Sequence, residues 1–219
     1  MNNKRHAALE QIAAKAQEAF TEKNAIRERA LQYSRSIIRL SANAIRSVHR
    51  RETTKAKDLI SEAANYIKQT NTILQTNPEI YYAGYLAEAR KEFSEANITM
   101  ALLLQQPLPQ PEELGVNIID YLKGMGDSVG EVRRYILDSL RRDEWQQCED
   151  AMEIMDQIYT LLVTLDFPEG VTGGLRNTND MVRKTLERTR GDFTVAFRQK
   201  RLEDILSSAE HATTIKRSY

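Results

Sequence analysis

Two acidic series stand out by their spacing. In "YYAGYLAEARKEFSEANITMALLL" (residues 81–104), Glu88, Glu92, Glu95 and Thr99 recur at steps of three and four. At about 100° per residue they share one line of a helix. Leu86, Ala89, Phe93, Ala96 and Met100 form the apolar face beside them. In "DYLKGMGDSVGEVRRYIL" (residues 120–137), Asp120, Gly124, Asp127, Glu131 and Arg134 fall on another such line, which continues at Asp138. Leu122, Met125, Val129, Val132, Ile136 and Leu140 lie opposite.

Two helices that each supply a pair of carboxylates bring four oxygen-bearing side chains together. Oxygen-only ligands suit Mg²⁺ or Mn²⁺, which keep several waters and bridge to phosphate oxygens. Such an ion activates water and stabilises the charge that develops on a phosphodiester under attack. A solvated polar face with local pairs such as Lys91–Glu95 is the competing reading of the same spacing. A di-iron carboxylate bundle is disfavoured. It needs Glu-x-x-His pairs, and none of His6, His49 or His211 has a Glu three residues before it.

Gly124, Gly126 and Gly130 interrupt the second acidic helix, each at a cost of about 1 kcal/mol relative to alanine. Gly124 lies on the acidic side, where a small residue lets another backbone or a bulky ligand come close, and the expectation is that it keeps space open for a metal and its phosphodiester. Gly126 and Gly130 lie on the flanks, where neighbouring helices approach. The first acidic line runs on into Leu102 and Leu103, which predicts a cover at that end.

A basic line completes the set. In "LQYSRSIIRLSANAIRSVHRRE" (residues 31–52), Arg35, Arg39, Arg46 and Arg50 align over roughly 22 Å at 1.5 Å per residue. Leu31, Ile38, Ala42 and Ile45 form the expected core side. A ridge of this length matches several phosphates of a nucleic-acid strand, with a solvated helix face as the alternative. Arg35, His49 and Arg50 are the candidate phosphate contacts; His49 reads equally as a structural histidine. Without an aromatic platform beside the ridge, backbone contact is favoured over base reading.

The elements that must position these groups are helices. The 219 residues include only nine glycines and five prolines, 41% are apolar, and 31 basic residues balance 31 acidic ones. Zero net charge means that any nucleic-acid site depends on local segregation of charge. The single cysteine, Cys148, excludes an internal disulfide and fits a reducing compartment. With no signal-peptide pattern and no run near the ~18 apolar residues of a membrane span, the expectation is a cytoplasmic protein without membrane contact. Helices are expected over residues 4–50 (with a break near Thr21–Asn24), 53–74, 79–104, 116–141, 143–165 and 175–207. A Pro-rich connector (105–115) and a second loop (166–174) separate them. Short connectors predict antiparallel packing in one all-α bundle over residues 1–219, with a frayed tail from about residue 208.

Taken together, these stretches resemble the translin superfamily, and its TRAX branch (translin-associated factor X) more than translin proper. Lys91-Glu92-Phe93-Ser94-Glu95-Ala96 resembles the TRAX pattern Q-E-Y-V-E-A. "DYLKGMGDSVGEVRR" (120–134) resembles D-Y-L-x-G-x-x-D-L-x-G-E-L-x-R. The 33–52 segment resembles the family's early helix ending in His-Arg, and "GGLRNTNDMVRKTLERT" its final helix. The resemblance implies a protomer of about seven helices in a closed, hollow homo-oligomer of the prokaryotic type, a hexamer or octamer. It also implies a Mg²⁺-dependent endoribonuclease site facing the cavity, at Glu92, Glu95, Asp127 and Glu131. Glu92, Glu95 and Asp127 would ligate Mg²⁺ (Mn²⁺ as a substitute), and Glu131 would ligate it or orient a ligating water. Single-stranded RNA is the expected substrate, with DNA as a further ligand. The rival expectation is a non-catalytic nucleic-acid-binding oligomer of the translin type. Lys91 and Phe93 depart from the family's glutamine and tyrosine, and neither removes a ligand.

Overall fold

The computed structural model describes the backbone of residues 2–217 and the side chains of residues 4–208. Within them are nine helices and no strand: α1 (Asn2–His49), α2 (Thr53–Thr76), α3 (Pro78–Tyr81), α4 (Gly84–Leu103), α5 (Pro111–Leu114), α6 (Ile118–Leu140), α7 (Trp145–Val163), α8 (Glu169–Thr172) and α9 (Leu175–Arg217). The all-α expectation holds. The expected count of about seven falls between these nine and the six long helices left when α3, α5 and α8, each only four residues long, are set aside. The break expected near Thr21–Asn24 is absent: α1 is continuous, and no glycine or proline precedes Pro78 to interrupt it. The expected third helix is divided by a turn at Tyr82–Ala83. At the other end, α9 continues to Arg217, where a frayed tail was expected.

The contacts gather into two compact units. One comprises residues up to Met100 with Pro109–Gly124; the other comprises Ala101–Leu108 with residues from Met125 onward.

In the first unit, α1 and α2 form a hairpin. Among the buried residues of α1, Ala30, Ser34, Ile37, Ser41, Ala44 and Val48 recur at steps alternating four and three, with Leu40, Ile45 and Ser47 buried beside them. Those of α2 are Ala56, Ile60, Ala63, Ile67, Thr70 and Ile73, at steps of three and four. This is the seam of a coiled-coil-like pair, in which small residues let two backbones approach. The centre of the α1 seam therefore lies one position away from Leu31, Ile38 and Ala42, which are half-buried, while Ile45 is buried as expected. Serine is the reason: read as polar in a sequence, it is small enough to bury, with its hydroxyl paired at Ser34 and without a partner at Ser41. Ser34 Oγ donates to the Tyr85 carbonyl at 2.8 Å.

In the second unit, α7 and α9 pack through a similar seam: Cys148, Ala151, Met155, Ile158 and Leu162 on α7, Leu175, Val182, Leu186 and Thr189 on α9. Burial, reinforced by the Glu144 carboxylate, pushes the Cys148 thiol up to about 11, so this is an inert core residue. Leu102 and Leu103 are half-buried and line an open pocket of about 210 Å³ with Val132, Ala151 and Ile154.

Candidate metal centre

The acidic helices are held first by a buried charge pair in the first unit. Arg90 of α4 donates from Nε to Asp120 of α6 at 2.6 Å, with both side chains almost fully buried. Arg90 also donates to the Tyr81 carbonyl at 3.0 Å and lies 4.2 Å from the centre of the Tyr81 ring. Asn117 donates to the same Asp120 oxygen at 2.7 Å. A buried pair with its remaining donors and acceptors satisfied holds its geometry, whereas loss of one partner costs about 3–5 kcal/mol. Asp120 shares a line with Asp127 in the sequence but serves the packing of α4 on α6.

Gly124 lies one turn further along α6 and brings the same two helices into backbone contact. A Cβ at Gly124 would stand 2.5 Å from the Lys91 carbonyl oxygen, 2.8 Å from the Glu95 nitrogen and 2.8 Å from Ser94 Cβ. This corrects the expectation for Gly124. The space above it is filled by α4 itself, and the glycine brings α6 against the turn that carries Glu92 and Glu95. Gly126 plays the same part in the second unit, where the Thr178 side chain occupies the place of its missing Cβ. Gly130 differs, since a Cβ there would meet nothing within 4 Å.

Three of the four predicted acids come together on these helices. Glu92, Glu95 and Asp127, all half-buried, each offer a carboxylate oxygen, and the three oxygens lie within 4.8 Å of one another. Glu131 falls outside that group, one turn beyond Asp127, and its carboxylate lies 3.6 Å from Arg134. Glu88 is exposed and pairs with Lys91 at 2.9 Å. Lys91 also lies 3.6 Å from Glu92, so an ammonium stands beside the acids. These pairs belong to the local, solvated-face reading that the spacing of Lys91 and its neighbours also allowed. Thr99, next on the acidic line, is buried, and its Oγ has no hydrogen-bond partner.

The donor set fits a hard divalent cation. Mg²⁺ holds oxygens at about 2.0–2.1 Å, so two opposite ligands stand about 4.2 Å apart. Adjacent ligands of the same octahedron stand about 2.9 Å apart, so three oxygens within 4.8 Å of one another would draw in by up to about 2 Å around the ion. No nitrogen or sulfur ligand belongs to the group, which disfavours zinc and copper.

Of the predicted phosphate contacts, Arg35 and Arg50 are exposed on α1 and at its end, with Arg39 and Arg46 exposed between them, and His49 is half-buried. Arg46 is steadied by Asn43 Oδ1, to which it donates at 2.5 Å. The residue that sequence reasoning missed is Arg90. Periodicity puts it at the border of the apolar face, and its partner, Asp120, is 30 positions away.

A helical scaffold that gathers carboxylates on two crossing helices defines the class: an all-α protein with a candidate divalent-metal centre. The chain is 30% identical over 190 residues to the uncharacterized protein MJ0175 of Methanocaldococcus jannaschii, a match covering 86% of this chain and 84% of that one. Its fold resembles the crystal structure of AfC3PO (27% identity, TM-score 0.75, 83% of this chain and 95% of that one). A structure of an AfC3PO–duplex RNA complex matches with a TM-score of 0.76 at 27% identity, over 83% of this chain and 94% of that one. Apo-NeC3PO, at 21% identity and a TM-score of 0.76, shares the fold over 83% of this chain and 95% of that one. No protein-family model matches. The chain belongs to the family of MJ0175 and, through the C3PO structures, to the translin superfamily.

Two outcomes test this geometry. Gly124→Ala is expected to destabilise the protein by about 1–3 kcal/mol, the usual cost of overpacking, despite its gain in helix propensity. Gly130→Ala, with open space around it, is expected to stabilise by about 1 kcal/mol. Denaturant titration of both variants reads the contrast. Replacing the ammonium beside the acids in Lys91→Gln is expected to tighten Mn²⁺ binding by about tenfold, measured by calorimetry. Unchanged affinity would separate Lys91 from the ion's site.

Proposed function

We propose that this protein is a Mg²⁺-dependent endoribonuclease of the TRAX-like type, hydrolysing single-stranded RNA inside a closed homo-oligomeric shell in the cytoplasm. The observation that carries this reading is the convergence of three carboxylate oxygens from α4 and α6 within 4.8 Å. Likeness to AfC3PO, whose structure with duplex RNA has been solved, supports RNA as the ligand class. Among the described residues no helix is long and apolar enough to cross a membrane.

Glu92, Glu95 and Asp127 hold Mg²⁺, with Mn²⁺ as a substitute. Bound there, the ion supplies Lewis-acid polarisation of a phosphodiester and a lowered pKa for its water. Glu131, held near Arg134, orients a water and accepts its proton. Lys91 limits repulsion among the acids before the ion enters. The exposed guanidinium groups of Arg35 and Arg50, with His49, hold phosphates along α1 without reading bases.

A second reading, a non-catalytic nucleic-acid-binding oligomer, is favoured by one observation. The Lys91 ammonium already offsets charge at Glu88 and Glu92, which lowers the need for a metal.

Cleavage of a labelled single-stranded RNA separates the two. The purified protein is expected to degrade it with Mg²⁺ and stop with EDTA. Glu95→Gln is expected to bind the RNA while losing at least about a hundredfold in rate, the scale set by loss of one group stabilising transition-state charge. Metal-independent binding without cleavage by the wild-type protein selects the second reading. The same RNA annealed to its complement, and a DNA of equal sequence, test the strand and sugar requirement.

A further inference from the structure

Beyond the acids, α6 carries a second feature in register with them. From Asp127 through Glu131, Arg134 and Asp138 to Arg141 the steps alternate four and three, which places the first four on one row of α6 and Arg141 in line with them in the turn that follows, its N–H still bonded to the Leu137 carbonyl. At 1.5 Å per residue, Arg134 lies roughly 10 Å and Arg141 roughly 21 Å along the axis from Asp127. A groove of about 430 Å³ opens on this part of α6, lined by Gly130, Arg133, Arg134, Leu137, Asp138 and Arg141. Gly130 adds no side chain to its floor.

The three arginines of the groove are not equivalent. Arg133 is tied to α9, donating to Thr189 Oγ1 at 3.0 Å and to Asp192 at 2.7 Å, and so forms a fixed wall. Arg134 and Arg141 are exposed, and their pairs are long and local: 3.6 Å to Glu131 and 3.4 Å to Asp138. Exposed pairs of this kind contribute about 0–1 kcal/mol. A phosphate displaces them at little cost, because a guanidinium fork matches its oxygens with paired, charge-assisted hydrogen bonds.

We infer that Arg134 and Arg141 are positioning residues that grip the RNA backbone, so that a strand lies along α6 and is fed toward Asp127. Their separation along the helix, roughly 10 Å, lets each meet a different phosphate of one strand. The helix bears the cost of Gly130 because a side chain there would lie in the path of the strand. This deepens the RNA reading above and rests on it.

The test uses the intact assembly in EDTA, with a short fluorescent single-stranded RNA titrated across a range of salt concentrations. Wild type, Arg134→Ala/Arg141→Ala and Arg134→Lys/Arg141→Lys are compared. Two lost phosphate contacts are expected to lower the slope of log affinity against log salt by about 1.4, at roughly 0.7 per contact for a single strand. The affinity of the double alanine variant at low salt is expected to fall about tenfold. The double lysine variant keeps the charges and is expected to retain the wild-type slope. A structural role for these arginines would change helix content without changing the slope, and circular dichroism reads that separately. Equal slope and affinity for the wild type and the double alanine variant overturn the inference while leaving the RNA reading in place. Failure of the wild type to bind RNA at any salt overturns both.

Discussion

The approach of α6 to α4 is the constraint from which the candidate site follows. Arg90 and Asp120 fix it electrostatically, and Gly124 fixes it sterically one turn later. The ion pair alone would allow α6 to pivot about its N-terminal turns. The missing Cβ alone would allow it to slide. With both, the α4 turn bearing Glu92 and Glu95 has one position against α6, and Asp127 follows Gly124 at the next turn of an unbroken helix. Burying the Arg90 and Asp120 charges is costly unless every donor and acceptor is used. Tyr81 and Asn117 provide that satisfaction, so residues that touch no ligand still determine where the carboxylates stand.

Charge is distributed by the same logic. The chain is neutral as a whole, yet its basic and acidic groups are locally segregated along the helices. Guanidinium groups line the exposed side of α1, carboxylates crowd one stretch of α4 and α6, and the later turns of α6 return to arginine. Acids within a few ångströms of one another repel unless a cation stands between or beside them. Lys91 meets part of that need from within the protein. A divalent ion meets it more completely, because carboxylate oxygens are its preferred ligands. In this half-buried site a tethered ammonium and a mobile ion would compete for the same carboxylates.

The three glycines of α6 show how one residue type serves three different ends. Gly124 admits a backbone, Gly126 admits the Thr178 side chain, and Gly130 admits nothing from the protein. Each weakens the helix by a similar amount. Only the first two recover that cost in packing within the chain.

Much of this was legible in the sequence because it depends on local periodicity. Helices follow from long runs without Gly or Pro, and the rows holding Glu92, Glu95, Asp127 and Glu131 follow from 3.6 residues per turn. Steps of three and four also mark the seams, although the buried serines of α1 moved that seam one position from where apolar residues alone would place it. Tertiary structure decided what periodicity does not encode. It removed Asp120 from the acidic row by pairing it with Arg90, 30 positions away, and it filled the space beside Gly124 with α4. It also turned Lys91 toward Glu88 and Glu92 and left Glu131 outside the carboxylate group. The physical reason is common to all of these: a helix dictates which residues share a side, but only packing against another helix decides which members of that side are buried, which are paired, and which are left to bind something else.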